Sequence, residues 1–136
     1  MKFLKLLLIT FALGVVFMGG ETFGAAASSA TQTVAGGGVT AKVTFLNPQD
    51  ADDPRFQVVL ETHSVTLDAY DFKNITIVRD DAGKIYSPVG VETKGGGHHR
   101  EATVVFPTFS PEAKRVELVI KDVAGVKERT FRWDLK

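Results

Sequence analysis

Short segments in which apolar and polar residues alternate recur along this chain, and they restrict its fold more than any other feature. From Val39 to Leu46, apolar residues alternate with threonine and lysine, and a similar alternation runs from Phe56 to His63. A period of two is typical of strands with one buried face. Beyond the N-terminal region no segment shows a sustained helical period of apolar residues, so the sequence predicts an all-β protein.

The spacing of these segments indicates a particular class of all-β fold. About seven short strands, separated by turn residues at intervals of roughly ten residues, are typical of an antiparallel β-sandwich of the immunoglobulin or fibronectin III type. The predicted strands are Val39–Leu46, Phe56–His63, Ile75–Val78, Lys84–Val91, Arg100–Phe106, Val116–Ile120 and Arg129–Leu135. Pro88 interrupts the fourth, which we therefore expect at a sheet edge. Trp133 shares its strand face with Phe131 and Leu135, which predicts a core position.

Composition excludes several classes of protein. The chain carries 16 basic and 16 acidic residues, whereas proteins that bind nucleic acid or anionic lipid need a basic excess. It has no cysteine, which excludes disulfides, thiolate metal sites and thiol catalysis. With 44% hydrophobic residues it has enough apolar material for one core, which must hold the fold without covalent links.

The N-terminal region predicts export. Residues 1–27 combine Lys2 and Lys5, an apolar run over residues 6–18 and small residues at Ala25–Ala27, as in a cleavable signal peptide. The run is shorter than the roughly 20 residues of a membrane span, so an uncleaved anchor is the weaker alternative and no stable span is expected after processing. Residues 28–38, rich in Ala, Ser and Gly, are predicted to form a flexible spacer before a β-sandwich at 39–136. We expect a periplasmic or extracellular protein.

The three histidines are the residues with the clearest potential for metal chemistry. His63 ends a predicted strand, while His98 and His99 follow a glycine hinge at residues 95–97. Strand parity places His63 and His99 on the faces opposite the core, so they approach each other if the two strand ends are adjacent. Neutral imidazoles with the carboxylate of Asp68 suit Cu(II) or Zn(II). The sequence therefore predicts a non-catalytic binding domain with a Cu or Zn site at His63, His98, His99 and Asp68.

Two alternatives use the same residues without a metal. The histidines are then solvated loop residues, or the His63 imidazole donates to Asp68 and fixes the loop between strands. The protein would in that case be a structural or adhesive module that binds a protein partner through a sheet edge near Pro88. Catalysis is not predicted, because Ser64 lies in no nucleophile elbow and no paired carboxylate cleft is recognisable.

Three stretches of the chain resemble a group of small exported bacterial domains that share a Thr-His-Ser-Val-x-Leu-Asp stretch and a Gly-His-His stretch. The resembling stretches are residues 61–68, 96–100 and 119–133. The resemblance covers most of the predicted sandwich. It implies a bacterial source and keeps the three histidines together as a unit, and it implies no mechanism.

Overall fold

Two antiparallel sheets form the protein. The computed structural model describes residues 30–49 and 52–135. In these ranges it contains nine strands and one short helix: β1 (Thr31–Gly36), β2 (Val39–Phe45), β3 (Arg55–Thr62), α1 (Phe72–Ile75), β4 (Thr76–Asp80), β5 (Ile85–Tyr86), β6 (Gly90–Gly96), β7 (His99–Val105), β8 (Arg115–Val123) and β9 (Val126–Asp134). Every strand pairs antiparallel to its neighbours.

The order of the strands confirms the predicted sandwich. One sheet runs β1-β2-β3-β7-β6 and the other β5-β4-β8-β9. Strands β2, β3, β7 and β6 correspond to A, B, E and D of the immunoglobulin fold, and β4, β8 and β9 correspond to C, F and G. The structure has two strands more than the seven predicted. One is β1, and the other arises because the predicted fourth strand is divided into β5 and β6. The chain leaves one sheet after Tyr86 and enters the other at Gly90, so Pro88 lies in a crossover between two edge strands.

The core lies between the sheets and is built from alternate strand positions, as predicted. Phe56, Val58 and Leu60 on β3 are fully buried, and the same alternation holds on β7 and β8. The rings of Phe45 and Phe56 stack with centroids 4.3 Å apart, and Trp133 lies 5.3 Å from Phe56. Trp133 is 3% exposed, which confirms its predicted core position.

The predicted flexible spacer is wrong over residues 31–36. This segment forms β1, which pairs with β2 from Thr31 opposite Thr44 to Gly36 opposite Val39. Its residues carry little apolar alternation, because β1 is held by backbone pairing and by contacts to β9 more than by burial of its own side chains. The predicted signal peptide at 1–27 lies outside the described residues. Among the residues that are described, none belongs to a helix with the length and apolar character of a membrane span.

The two sides of the sandwich differ. On one side, here called the closed side, β1 of the first sheet meets β9 of the second, and the Gln32 side chain exchanges two hydrogen bonds with the backbone of Arg132. On the other, here called the open side, β6 and β5 end their sheets. The short crossover at residues 87–89 keeps these two end strands on the same side of the molecule.

Candidate functional site

The four predicted metal ligands lie near one end of the five-stranded sheet, but their side chains do not gather around one point. His98 contributes its carbonyl, which accepts a hydrogen bond from the Thr62 N–H at 3.0 Å, and the His63 side chain is exposed. Within residues 30–49 and 52–135, no three histidine, cysteine or acidic side chains are placed to hold a metal ion. The structure thus brings the predicted segments together without assembling a metal site from them.

The glycine run predicted to be a hinge is part of a β-hairpin. Gly95 and Gly96 belong to β6, and Gly97 and His98 form the two-residue turn into β7. Gly97 has φ 65° and His98 has a negative φ, a combination that fits a type II′ turn with glycine at its first central position. The glycines therefore set the geometry of a tight turn, where the sequence predicted a flexible hinge.

Asp68 fixes this turn to the loop that follows β3. Its carboxylate accepts hydrogen bonds from the Gly97 N–H at 2.8 Å and from the Thr66 hydroxyl at 3.2 Å. The bond from Gly97 is the main cause that holds the pKa of Asp68 below its ordinary value, and Thr66 and Arg100 act in the same direction. Asp68 therefore fixes the loop between strands, as in the alternative that paired it with His63. The donor, however, is the Gly97 N–H and not the His63 imidazole.

Arg100 is a further residue of this region that the metal hypothesis missed. Its guanidinium donates to the carbonyls of Leu67, at 2.9 Å, and Tyr70, and lies 4.8 Å from the ring centroid of Phe72. The signal was present in the sequence, because position 100 has the parity of the buried Ala102 and Val104. A charged residue on a core face indicates that the fold supplies hydrogen-bonding partners for it, because burying an unpaired charge is costly.

His99 lies in a row of charged side chains on the outer face of the five-stranded sheet. Its Nδ1 is 3.1 Å from Glu61 Oε1 and its Nε2 is 3.4 Å from Glu101 Oε1. Because the two ring nitrogens point in different directions, these carboxylates flank the imidazole and do not share one ion with it. Lys94 Nζ lies 3.2 Å from Glu101 Oε2, and this contact is the main cause that lowers the pKa of Glu101, with His99 contributing.

This charged row, defined by Glu61, His99, Glu101 and Lys94, ends at the free edge of the sheet. Glu61 pairs with His99 across β3 and β7, and Glu101 pairs with Lys94 across β7 and β6. A shallow polar cleft on β6 and β7 opens beside the last pair, with Gln57, Glu92 and Thr103 among its lining residues. The row therefore leads from the middle of the sheet to the open side.

The backbone of β6 presents free hydrogen-bonding groups on the open side. The bond from Thr62 N–H to His98 C=O makes Glu61–His99 a non-hydrogen-bonded pair, so the peptide groups of His99 face β6. Because facing alternates along antiparallel strands, the extended residues of β6 whose N–H and C=O groups point away from β7 are Val91 and Thr93, while Gly95, with φ 83°, departs from strand geometry. No strand of the described chain pairs with that edge.

Exposed apolar side chains accompany this edge. Val89, directly before β6, is 62% exposed, and Ile85 on β5 is 59% exposed. Both lie on the open side, where the two sheets end. Free peptide groups next to exposed apolar side chains are what a sheet offers to an added strand.

Comparison with known proteins identifies no relative of this chain. No protein-family model, curated protein or solved structure matches the chain. The candidate site is therefore the free edge of β6 together with its charged row, as the fold itself presents them.

Proposed function

We propose that this protein is an exported, non-catalytic binding module that holds an extended segment of a partner polypeptide against the free edge of β6. The observation that carries the proposal is a seven-residue edge strand, exposed from Glu92 to Gly96, whose outward peptide groups pair with no strand of the described chain. The export part of the proposal is supported by the signal-like pattern of residues 1–27.

The edge meets the physical requirements of strand addition. Main-chain hydrogen bonds to outward groups supply affinity, and neighbouring side chains supply specificity. Val89 and Ile85 offer apolar contact beside the strand, while Glu92 and Lys94 offer one charge of each sign on the outer face. A partner with both apolar and charged residues in extended conformation fits this combination.

The metal hypothesis for His63, His98, His99 and Asp68 receives less support from the same geometry. Asp68 is engaged by Gly97 and Thr66, and His99 by two glutamates on opposite sides of its ring. Copper or zinc binding there requires these contacts to be exchanged for metal bonds, so it stays a prediction of the sequence.

A proline at the centre of the edge tests the proposed function. The Thr93 N–H points away from β7, so Thr93→Pro removes an outward donor without removing a bond inside the sheet. Thr93→Val is the matched control, because it keeps the N–H and nearly the volume of threonine. The probe is a displayed library of random heptapeptides, selected on the wild-type chain and then titrated against all three proteins.

We expect selected peptides to bind the wild-type chain and Thr93→Val with similar affinity, and Thr93→Pro at least about tenfold more weakly. Bound peptide should also slow amide hydrogen exchange at Val91 and Thr93, since their N–H groups become donors. Peptides that bind all three proteins equally, or a library that yields no binder on a chain that is itself monomeric, would show that this edge does not receive strands.

A further inference from the structure

The three central residues of β6 carry a self-complementary pattern. Glu92 and Lys94 flank Thr93 and project together from the outer face of the sheet, since residues two apart share a face. The peptide groups of Thr93, between them, point outward from the edge. A strand that runs antiparallel past this one with the same sequence would therefore present lysine to glutamate and glutamate to lysine.

The hydrogen-bonding geometry allows only some registers for such a pair. Two copies related by a two-fold axis place residue i opposite residue j with a constant sum, and outward groups must meet outward groups. With the axis at Thr93, the outward peptide groups of Thr93 face those of Thr93 in the second copy, and Val91, which also has outward peptide groups, faces Gly95. Glu92 then faces Lys94 in a non-hydrogen-bonded pair, where side chains approach most closely.

Neighbouring symmetric registers lose this complementarity. An axis at Glu92 places glutamate opposite glutamate, and an axis at Lys94 places lysine opposite lysine, and like charges directly opposite are destabilising. An axis at Val91 brings Lys94 opposite Pro88, and an axis at Gly95 brings it opposite Gly96. Opposite charges meet only in the register centred on Thr93.

The charged row continues across such a contact. The Lys94 side chain is 77% exposed while it lies 3.2 Å from Glu101, so one side of its ammonium group is available. In the register centred on Thr93, Lys94 stands between Glu101 of its own chain and Glu92 of the second copy. The charged row would then run through the two-fold axis from one five-stranded sheet into the other.

We infer that the strand received by the β6 edge is β6 of a second copy of this chain, paired antiparallel about Thr93 into one continuous sheet. The inference rests on the proposed function, because it names the occupant of the same edge. Charge complementarity within Glu92–Lys94 and the outward peptide groups of Val91 and Thr93 are its basis. Such an isologous pair closes on itself and leaves no further β6 edge exposed.

Charge reversal tests the register with the full chain. Glu92→Lys and Lys94→Glu each create two like-charge pairs across the axis, so each variant alone should dimerise at least about tenfold more weakly than wild type. An equimolar mixture of the two variants restores glutamate opposite lysine at both positions, and it should form a heterodimer of near wild-type affinity. Lys127→Glu, an exposed change of the same charge on β9, is the control and should dimerise like wild type.

Sedimentation equilibrium over a concentration series measures all of these samples. A monomeric wild-type chain, single variants that dimerise as well as wild type, or a mixture that fails to associate would each overturn the inference. A monomeric wild-type chain whose selected heptapeptides are still lost in Thr93→Pro would overturn self-association alone and leave the proposed function standing. Dimers that follow the charge pattern and are lost in Thr93→Pro would support both.

Discussion

The closed and open sides of this sandwich differ in how the backbone hydrogen-bonding groups of their edge strands are satisfied. Each side has two sheet edges with backbone groups to satisfy. On the closed side β1 and β9 satisfy part of theirs through side chains that cross between the sheets, such as Gln32 and Arg129. On the open side β6 keeps outward groups that meet no strand of the described chain. The two sides thus differ in whether side chains from the opposite sheet cross to the backbone groups of the edge strands.

Arg129 should account for the largest single effect on the closed side. It is 1% exposed, and its guanidinium donates to Gly36 O at 2.6 Å and to Val123 O at 2.8 Å, which ties the β1–β2 hairpin to the β8–β9 turn. Burial lowers the pKa of Arg129. Arg129→Ala leaves two carbonyls without these donors and opens a cavity, so we expect a loss of about 3 kcal/mol in the free energy of unfolding.

Urea unfolding measures this loss, and Arg132→Ala is its control. The Arg132 side chain is 68% exposed and pairs with Glu117 on the sheet surface, so its removal should cost about 0.5 kcal/mol. Similar losses for the two variants would mean that Arg129 does not hold the closed side together.

Two glycines with nearly the same backbone angle sharpen the comparison. Gly37 in the β1–β2 turn has φ 61° and Gly97 in the β6–β7 turn has φ 65°. A Cβ at Gly37 would collide with the Ala124 carbonyl, whereas a Cβ at Gly97 meets nothing within 4 Å. Both alanine variants should lose roughly 1 kcal/mol or more from the positive φ, and Gly37→Ala about 1 to 2 kcal/mol more from the collision.

Thermal unfolding of the two glycine variants gives the difference directly. The excess loss in Gly37→Ala over Gly97→Ala reports how closely the two turns approach on the closed side. Equal melting temperatures would show that the turns separate at little cost.

Much of the fold follows from the sequence, because the core is built by alternation. Phe56, Val58 and Leu60 point inward wherever their strand pairs, so their burial is predictable before the topology is known. The strand β1 was not predictable in this way. Its stability comes from pairing with β2 and from hydrogen bonds to Arg132 and Arg129, which lie far along the chain. Such contacts leave no periodic signal in the sequence of β1.

The candidate site was predictable only at the level of segments. The expected approach of the β3 end to the glycine turn is real, since Thr62 bonds His98 and Leu67 bonds Gly97 through their backbones. The direction of each side chain was not predictable, because it depends on the turn type and on which donors lie within reach. The donor to Asp68 is the backbone N–H of Gly97, and a contact to the backbone cannot be inferred from the pattern of side chains.

Asp68 provides the smallest and most specific test, on the turn that adjoins the open side. Its pKa is lowered in the folded protein, so its contribution to stability is present above the unfolded pKa of about 3.9 and is lost as pH falls through the lower folded value. Asp68→Asn should therefore lower the urea midpoint at neutral pH by less than Arg129→Ala or Gly37→Ala does. It should also flatten the decline in stability below pH 4, because the folded state then gains nothing from that carboxylate.

The control for this pH profile is Asp122→Asn, which removes an exposed carboxylate at a position with φ 55°, where asparagine is well tolerated. Its profile should follow that of the wild type. If Asp68→Asn and Asp122→Asn give the same profile, the bond from Gly97 contributes nothing that water does not replace. The turn beside β6 would then be held by the backbone bonds from Leu67 to Gly97 and from Thr62 to His98, with Arg100 fixing the adjacent loop.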